Sequence, residues 1–204
     1  MPAKTNIQAV LFDADGVIIH PFRFAAYLER EHGISRTMTE PFFRGVFLEC
    51  LTGQRDLKTA VEPFLTSWDW NSGVASFLEC WLREDDAPDH AMLAEVAALR
   101  KSGTRCYLAT NQERYRAAYM REQMRFGEQF DGIFASCYLG VMKPDPAFFT
   151  HVATRLGVPP EQILFWDDAP ANVEQARACG WCAELFSDHA GYRATMLARY
   201  IHHG

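Results

Sequence analysis

Short apolar segments alternate with amphipathic segments along most of the chain. Residues 7–12 are an apolar run that ends at Asp13-Ala14-Asp15-Gly16, which predicts a buried parallel strand followed by a loop. Further strands are predicted at residues 105–109, 133–139, 163–166 and 183–186, and the helices between them include residues 112–125, 146–156 and 171–179. This alternation predicts an α/β fold with a doubly wound parallel sheet.

A long helical interruption follows the first predicted strand. Between residues 21 and 83 the apolar side chains recur at helical spacing, as in Phe42, Phe43 and Phe47, and no strand pattern appears. A charged segment that contains a proline, residues 83–89, marks the end of this stretch. We expect three or four helices in this part of the chain.

The interruption divides the chain into two expected domains. Residues 1–19 and 88–204 would form the α/β core, and residues 20–87 would form a small α-helical cap domain. The cap begins where the first strand ends, and ligands of open α/β sheets bind at that edge. Cap and core are therefore expected to enclose one cleft.

Composition and charge exclude several classes of function. The chain has 204 residues, of which 49% are hydrophobic and 23% are charged, as in an ordinary folded protein with one main core. Its net charge of −6 disfavours nucleic acids and anionic membranes as partners. The first residues do not resemble a signal peptide, and no apolar run reaches the length of a membrane helix, so we expect a cytoplasmic protein.

Polar residues follow the first two predicted strands. Asp13 and Asp15 stand two positions apart, a spacing that suits one nucleophile or metal ligand and one acid/base, although Asp and Gly also form ordinary turns at strand ends. Thr110 and Asn111 precede a predicted helix. They could bind an anion or serve as a helix cap.

Charged residues follow the next two strands. Lys143 precedes a proline and stands just before a predicted helix, where an ammonium group could bind phosphate or remain solvated. Asp167 and Asp168 follow an apolar strand. Adjacent carboxylates suit Mg²⁺, whereas Asp168 could instead cap a helix.

These four signals follow four different strands, so they converge on one edge of the sheet. In the order Asp-x-Asp-Gly-Val, Thr-Asn, Lys-Pro-Asp-Pro and Phe-Trp-Asp-Asp-Ala-Pro, they resemble the haloacid dehalogenase-like hydrolase superfamily. The resemblance covers residues 7–19 and about 104–187. It implies a Rossmann-like core, and the helical insertion resembles the subgroup with an α-helical cap.

The resemblance implies a phosphatase that acts on a small phosphomonoester metabolite, a sugar phosphate or similar. Asp13 would be the nucleophile that forms an aspartyl phosphate, and Asp15 would protonate the leaving oxygen and then activate water. Thr110 and Asn111 would bind the phosphoryl oxygens. Lys143 would neutralise the phosphate and the nucleophile.

The resemblance also implies Mg²⁺ as the cofactor. The ion would bind Asp13, the backbone carbonyl of Asp15, and Asp168, with Asp167 in the outer sphere. The sequence leaves open which carboxylate of the adjacent pair ligates the metal directly.

Three rival functions differ from the phosphatase in specific features. A metal-independent 2-haloacid dehalogenase of the same superfamily would lack the second aspartate of the first motif, which is present here as Asp15. A phosphomutase would keep all four motifs and differ mainly in its cap. A phospho-acceptor receiver domain carries its acidic pair after the first strand and its acceptor aspartate later, so its motif order is different.

The cap is less informative about the substrate. Its tryptophans, Trp68, Trp70 and Trp81, are expected in the packed interior of the helices. His20, which directly follows the first motif, is the candidate for a substrate contact. The patterns do not determine the oligomeric state.

Overall fold

The computed structural model describes residues 6–21 and 23–200. Five parallel strands form one sheet in the order β3-β2-β1-β4-β5. The strands are β1 (Ala9–Phe12), β2 (Arg105–Thr110), β3 (Gly132–Ala135), β4 (Ile163–Asp167) and β5 (Cys182–Leu185). At the end of β1, Phe12 is in register with Leu108 of β2 and Trp166 of β4. The predicted doubly wound parallel sheet is confirmed.

Helices connect the strands and cover both faces of the sheet. They are α1 (Phe24–His32), α2 (Arg36–Phe43), α3 (Phe47–Leu51), α4 (Leu57–Ser67), α5 (Gly73–Glu84), α6 (His90–Lys101), α7 (Arg114–Glu122), α8 (Phe126–Gln129), α9 (Ser136–Leu139), α10 (Pro146–Leu156), α11 (Pro170–Ala178) and α12 (His189–Arg199). Val10 and Phe12 of β1 pack with α6, α8 and α12, whereas Ala9 and Leu11 pack with α10 and α11. Burial on both faces explains why this strand is a continuous apolar run.

The predicted third strand is too long. β3 ends at Ala135, and residues 136–139 turn into the short helix α9. The Ser136 hydroxyl donates to the Leu51 backbone oxygen at 2.6 Å and accepts from the Gln112 backbone N–H at 3.0 Å. A short apolar run fits either structure, and here these long-range contacts favour the helical turn.

The predicted helix over residues 112–125 is shorter than expected and is followed by another. α7 begins at Arg114 because the Glu113 side chain accepts hydrogen bonds from the backbone N–H groups of Tyr115 and Arg116. Arg125 has a left-handed φ of 59° and directly precedes α8. Residues 111–113 therefore form a loop between β2 and α7.

Helices α1 to α5, which we call the helical block, bury a separate set of apolar side chains. Phe24, Phe42, Trp68, Phe77 and Trp81 are among the residues of this interior, which is formed almost entirely within the block. It contains five helices where three or four were expected. Phe22, which belongs to the predicted cap, lies outside the described residues, as do residues 1–5 and 201–204 of the predicted core.

The chain leaves and re-enters the sheet region at adjacent points. The backbone N–H of His20 donates to the carbonyl of Ala87 at 2.9 Å, and that of Asp89 donates to the carbonyl of Ile18 at 2.8 Å. The two connections to the helical block therefore lie side by side, above the end of β1. No helix of the described part of the chain is long and apolar enough to span a membrane.

Candidate active site

Asp13 is the first residue after β1, at the centre of the sheet. Its Oδ1 atom accepts a hydrogen bond from the Ala14 backbone N–H at 2.7 Å, and its Oδ2 atom lies 3.0 Å from the Lys143 Nζ atom. The side chain is 13% exposed. One carboxylate is thus oriented by two donors and remains open to the cavity above it.

The Lys143 ammonium group lies between two carboxylates. Its Nζ atom is fully buried and 2.6 Å from Asp167 Oδ2, in addition to its contact with Asp13. The Asn111 side chain fixes the backbone of Lys143, since it donates to the lysine carbonyl and accepts from the lysine N–H, each at 2.9 Å. Asn111 therefore uses its side-chain amide to position Lys143, and its backbone N–H remains as a possible donor to an anion.

Burial and neighbouring charges shift the pKa values of Asp13 and Lys143. Burial raises the pKa of Asp13 to about 7, while the Lys143 ammonium opposes this shift and the Asp167 carboxylate adds to it. Burial by itself would lower the pKa of Lys143, but Asp13 and Asp167 more than offset this effect, so its pKa is raised. Lys143 is a cation at neutral pH.

The raised pKa of Asp13 predicts that the metal-free protein becomes less stable as the pH rises. Between the ordinary pKa of 3.8 and about 7, the folded protein keeps a proton that the unfolded chain loses, so stability falls as pH rises through this window. The slope is at most about 1.4 kcal/mol per pH unit. Asp13→Asn should therefore raise the Tm of the metal-free protein at pH 8 and change it little at pH 4, as measured by thermal unfolding. A lower Tm of the variant at pH 8 would contradict this account.

Three carboxylates form an acidic cluster beside Lys143. Asp13, Asp167 and Asp168 each place an oxygen within 4.8 Å of the others. Asp167 is fully buried, and its oxygens accept hydrogen bonds from Lys143 Nζ, from the Ala169 backbone N–H at 2.8 Å and from the Asn172 amide at 3.0 Å. These bonds leave Asp167 less available to a metal than Asp168.

Asp168 lies on the exposed side of the cluster. Burial raises its pKa, and the neighbouring Asp167 carboxylate adds to the shift. The first motif approaches it so closely that a Cβ atom at Gly16 would collide with the Asp168 carboxylate, and Gly16 also has a φ of 84°. Only glycine allows this contact between the loop after β1 and the loop after β4.

Asp15 is held by two residues that the sequence analysis did not identify. Arg116 Nη2 donates to Asp15 Oδ1 at 2.8 Å, and Gln112 Nε2 donates to Asp15 Oδ2. Both partners are buried. In the sequence, Arg116 stands three residues after Glu113 near the start of a helix, a spacing typical of a solvated ion pair, so nothing marked it as a partner of Asp15.

Two cavities meet at this site. The smaller, of about 170 Å³, is lined by Asp13, Asp15, Gly16, Pro21, Thr110, Asn111 and Asp168. The larger, of about 540 Å³, lies under the helical block, and Asp15 and Asn111 line both. Thr110, at the end of β2, is buried in the wall of the smaller cavity. His20 is exposed and lines neither of these two cavities.

Two phosphatases are among the known proteins that are similar to this chain in sequence. Phosphorylated carbohydrates phosphatase of Thermotoga maritima is 25% identical over 85% of this chain and 82% of its own length. Sesquiterpene phosphatase astK of Aspergillus oryzae is 34% identical over 46% of this chain. The chain spans 47% of that relative and less of several other curated relatives.

A solved structure and a family model extend the comparison to most of the chain. A HAD family enzyme from Bacteroides thetaiotaomicron, in complex with magnesium and inorganic phosphate, has the same fold with a TM-score of 0.77 and 18% identity, covering 91% of this chain and 98% of that one. The model of the haloacid dehalogenase-like hydrolases matches residues 7–180. The chain therefore belongs to the haloacid dehalogenase-like hydrolase family.

Proposed function

We propose that this enzyme is a Mg²⁺-dependent phosphatase that hydrolyses a small phosphomonoester metabolite through an aspartyl phosphate. The observation that carries the proposal is the position of Asp13, whose carboxylate touches a buried lysine and opens to a cavity that Asp15 and Asp168 also line. Phosphatases among the relatives support the same assignment. The sequence suggested a sugar phosphate or similar as substrate.

Two carboxylates divide the proposed reaction into two steps. In the first, an Asp13 oxygen forms a bond to phosphorus, the bond from phosphorus to the bridging oxygen breaks, and Asp15 gives its proton to that oxygen. In the second, Asp15 takes a proton from water as the water oxygen bonds to phosphorus and the Asp13 oxygen leaves. Asp15 lies in the smaller cavity beside Asp13, where it can act in both steps.

The remaining residues of the smaller cavity stabilise the phosphoryl group in this proposal. Thr110 and the backbone N–H of Asn111 would donate to its oxygens. Lys143 carries the compensating positive charge, and its burial makes this charge more effective because water does not screen it.

The acidic cluster fits Mg²⁺, which prefers carboxylate and carbonyl oxygens. Asp13, Asp168 and the carbonyl of Asp15 would hold the ion, with Asp167 in the outer sphere because its oxygens are engaged by Lys143, Ala169 and Asn172. When bound, the ion neutralises charge on the phosphoryl oxygens.

We also propose that the helical block acts as a cap. Residues 20–87 would form the cap domain, and residues 1–19 and 88–204 the core. The separate apolar interior of the block and its two adjacent connections to the sheet support this division.

Metal removal tests the proposed activity. Phosphate release from phosphomonoesters should be lost after the protein is stripped with EDTA and should return when Mg²⁺ is added, as measured by a colorimetric phosphate assay. The same preparation should release no halide from a 2-haloacid. Full turnover without metal, or halide release, would contradict the phosphatase assignment.

A further inference from the structure

The larger cavity has a mostly apolar wall. The helical block contributes Phe24, Phe43, Phe47, Leu51 and Trp81 to it. Its volume of about 540 Å³ lies within the range of sites that enclose small organic ligands. This space is far larger than a phosphate group needs, so it can accommodate an organic group attached to the phosphate.

Several polar groups in this wall already have partners within the protein. The Trp81 indole N–H donates to Asp85 Oδ2 at 2.9 Å, and Asp85 Oδ1 accepts from the Phe24 backbone N–H at 2.9 Å. The Glu113 carboxylate accepts from backbone N–H groups at the start of α7, and Gln112 donates to Asp15. A ligand rich in hydroxyl groups would lose hydrogen bonds to water here and regain few of them.

The charged residues at the cavity have distinct positions. Arg36 and Arg44 are exposed, and Arg44 forms an ion pair of 2.7 Å with Glu40. These charged side chains therefore lie on the side of the cavity that faces solvent. Arg116 is buried, and although its Nη2 atom donates to Asp15, its Nε and Nη1 atoms have no partner in the described structure. The buried part of the cavity thus offers one cationic donor among aromatic rings.

The larger cavity adjoins the proposed reaction centre. Asp15 and Asn111 line both cavities. In the proposed reaction Asp15 touches the bridging oxygen, which joins the phosphorus to the organic part of the substrate. The organic part therefore extends from Asp15 into the space under the helical block.

We infer that the substrate is a phosphate monoester of an apolar alcohol, whose alkyl or aryl group lies against Phe43, Phe47 and Trp81. This inference rests on the proposed phosphatase function and narrows its substrate class. A sugar phosphate is disfavoured because its hydroxyl groups would face aromatic carbon.

A chain-length series tests the inference. The kcat/KM for phosphate release should rise about fourfold with each added methylene along ethyl, butyl and hexyl phosphate, as expected for burial of hydrocarbon. The kcat/KM for hexyl phosphate should also be higher than the values for glucose 6-phosphate and phosphoglycolate. A flat series, or a preference for either polar substrate, would overturn the inference while leaving the phosphatase function intact.

Two variants on α3 test whether the alkyl chain lies in the larger cavity. Phe47→Ser should reduce the ratio of the hexyl to the ethyl kcat/KM by about tenfold, because it removes part of the apolar wall. Leu48→Ser is the matched control, since Leu48 is 40% exposed and does not line the cavity, and its ratio should equal that of the wild type. The ratio is independent of the folded fraction of each variant. Equal ratios in both variants would place the alkyl chain elsewhere.

Binding of octan-1-ol separates failure of the inference from failure of the proposed function. Isothermal titration calorimetry should show that the alcohol binds the wild type and the Leu48→Ser variant more tightly than the Phe47→Ser variant. Alcohol binding without release of phosphate from any ester would refute the phosphatase proposal but not the apolar character of the cavity. No binding of the alcohol would overturn the inference.

Discussion

Replacing Asp13 by Asn is expected to abolish turnover, whereas replacing Asp15 by Asn should block only the second half of the reaction for a substrate with a good leaving group. Asn at position 13 keeps the shape of the side chain but removes the negative charge that attacks phosphorus in the proposed reaction. Asn at position 15 cannot donate a proton or activate water. An aryl phosphate needs little protonation, so its phosphoryl group should still be transferred to Asp13 and remain there.

Rapid quench with a labelled aryl phosphate measures this difference. Labelled protein should accumulate in the Asp15→Asn variant and be absent from the Asp13→Asn variant. Asp69→Asn is a suitable control, because Asp69 is exposed, lines neither cavity and has a φ of 57° that Asn tolerates. Label in the Asp13→Asn protein would assign the nucleophile to a different carboxylate.

Removing the charge of Lys143 should lower kcat by roughly a hundredfold or more, as is typical when a group that stabilises transition-state charge is lost. Lys143→Met keeps most of the aliphatic stem and removes the ammonium group between Asp13 and Asp167. The measurement is phosphate release at saturating substrate and Mg²⁺. Lys101→Met is the control, since Lys101 is an exposed residue at the end of α6.

The Lys143→Met variant also loses a buried counter-ion, so its fold is checked by circular dichroism before its rate is compared. If it does not fold, Asn111→Ala provides a second test, because Asn111 fixes the lysine backbone through two hydrogen bonds of 2.9 Å. That variant should retain the charge but lose activity through misplacement of Lys143. Rates near those of the wild type in a folded Lys143→Met protein would show that the ammonium group has no role in the reaction.

The sequence predicted the sheet well because its central strands are buried on both faces. β1 and β4 are continuous apolar runs, and such runs end in polar residues where parallel strands meet a loop. Because all these loops lie at one edge, the sequence also indicated that Asp13, Lys143 and Asp168 would converge. The structure places Asp13 and Asp168 around one small cavity, and the buried Lys143 contacts Asp13 beside it.

Contacts between distant residues could not be predicted in the same way. Arg116 and Asp15 are 101 positions apart, and Asn111 and Lys143 are 32 positions apart. The local pattern around Asn111 suggested an anion site or a helix cap. In the structure Glu113 caps α7, and the Asn111 side-chain amide forms hydrogen bonds with the backbone of Lys143. Such pairings depend on which loops the sheet brings together.

In the helical block, the sequence predicted the helices but not which of their apolar faces border a cavity. Its spacing of apolar residues correctly predicted helices with buried aromatic faces, and Trp68, Trp70 and Trp81 are buried. The same spacing cannot distinguish a face packed against another helix from a face that borders a cavity. Trp81 does both, since it stacks on Phe24 at 5.4 Å between ring centroids and also lines the larger cavity.

The central claim is that the phosphoryl group is transferred to Asp13. The most direct test is to quench the Asp15→Asn variant during turnover of an aryl phosphate, digest it, and locate the phosphoryl group by mass spectrometry. The account predicts that the modified residue is Asp13, in the peptide that contains β1. A phosphoryl group on Asp167 or Asp168, or no modified peptide at all while phosphate is still released, would contradict it.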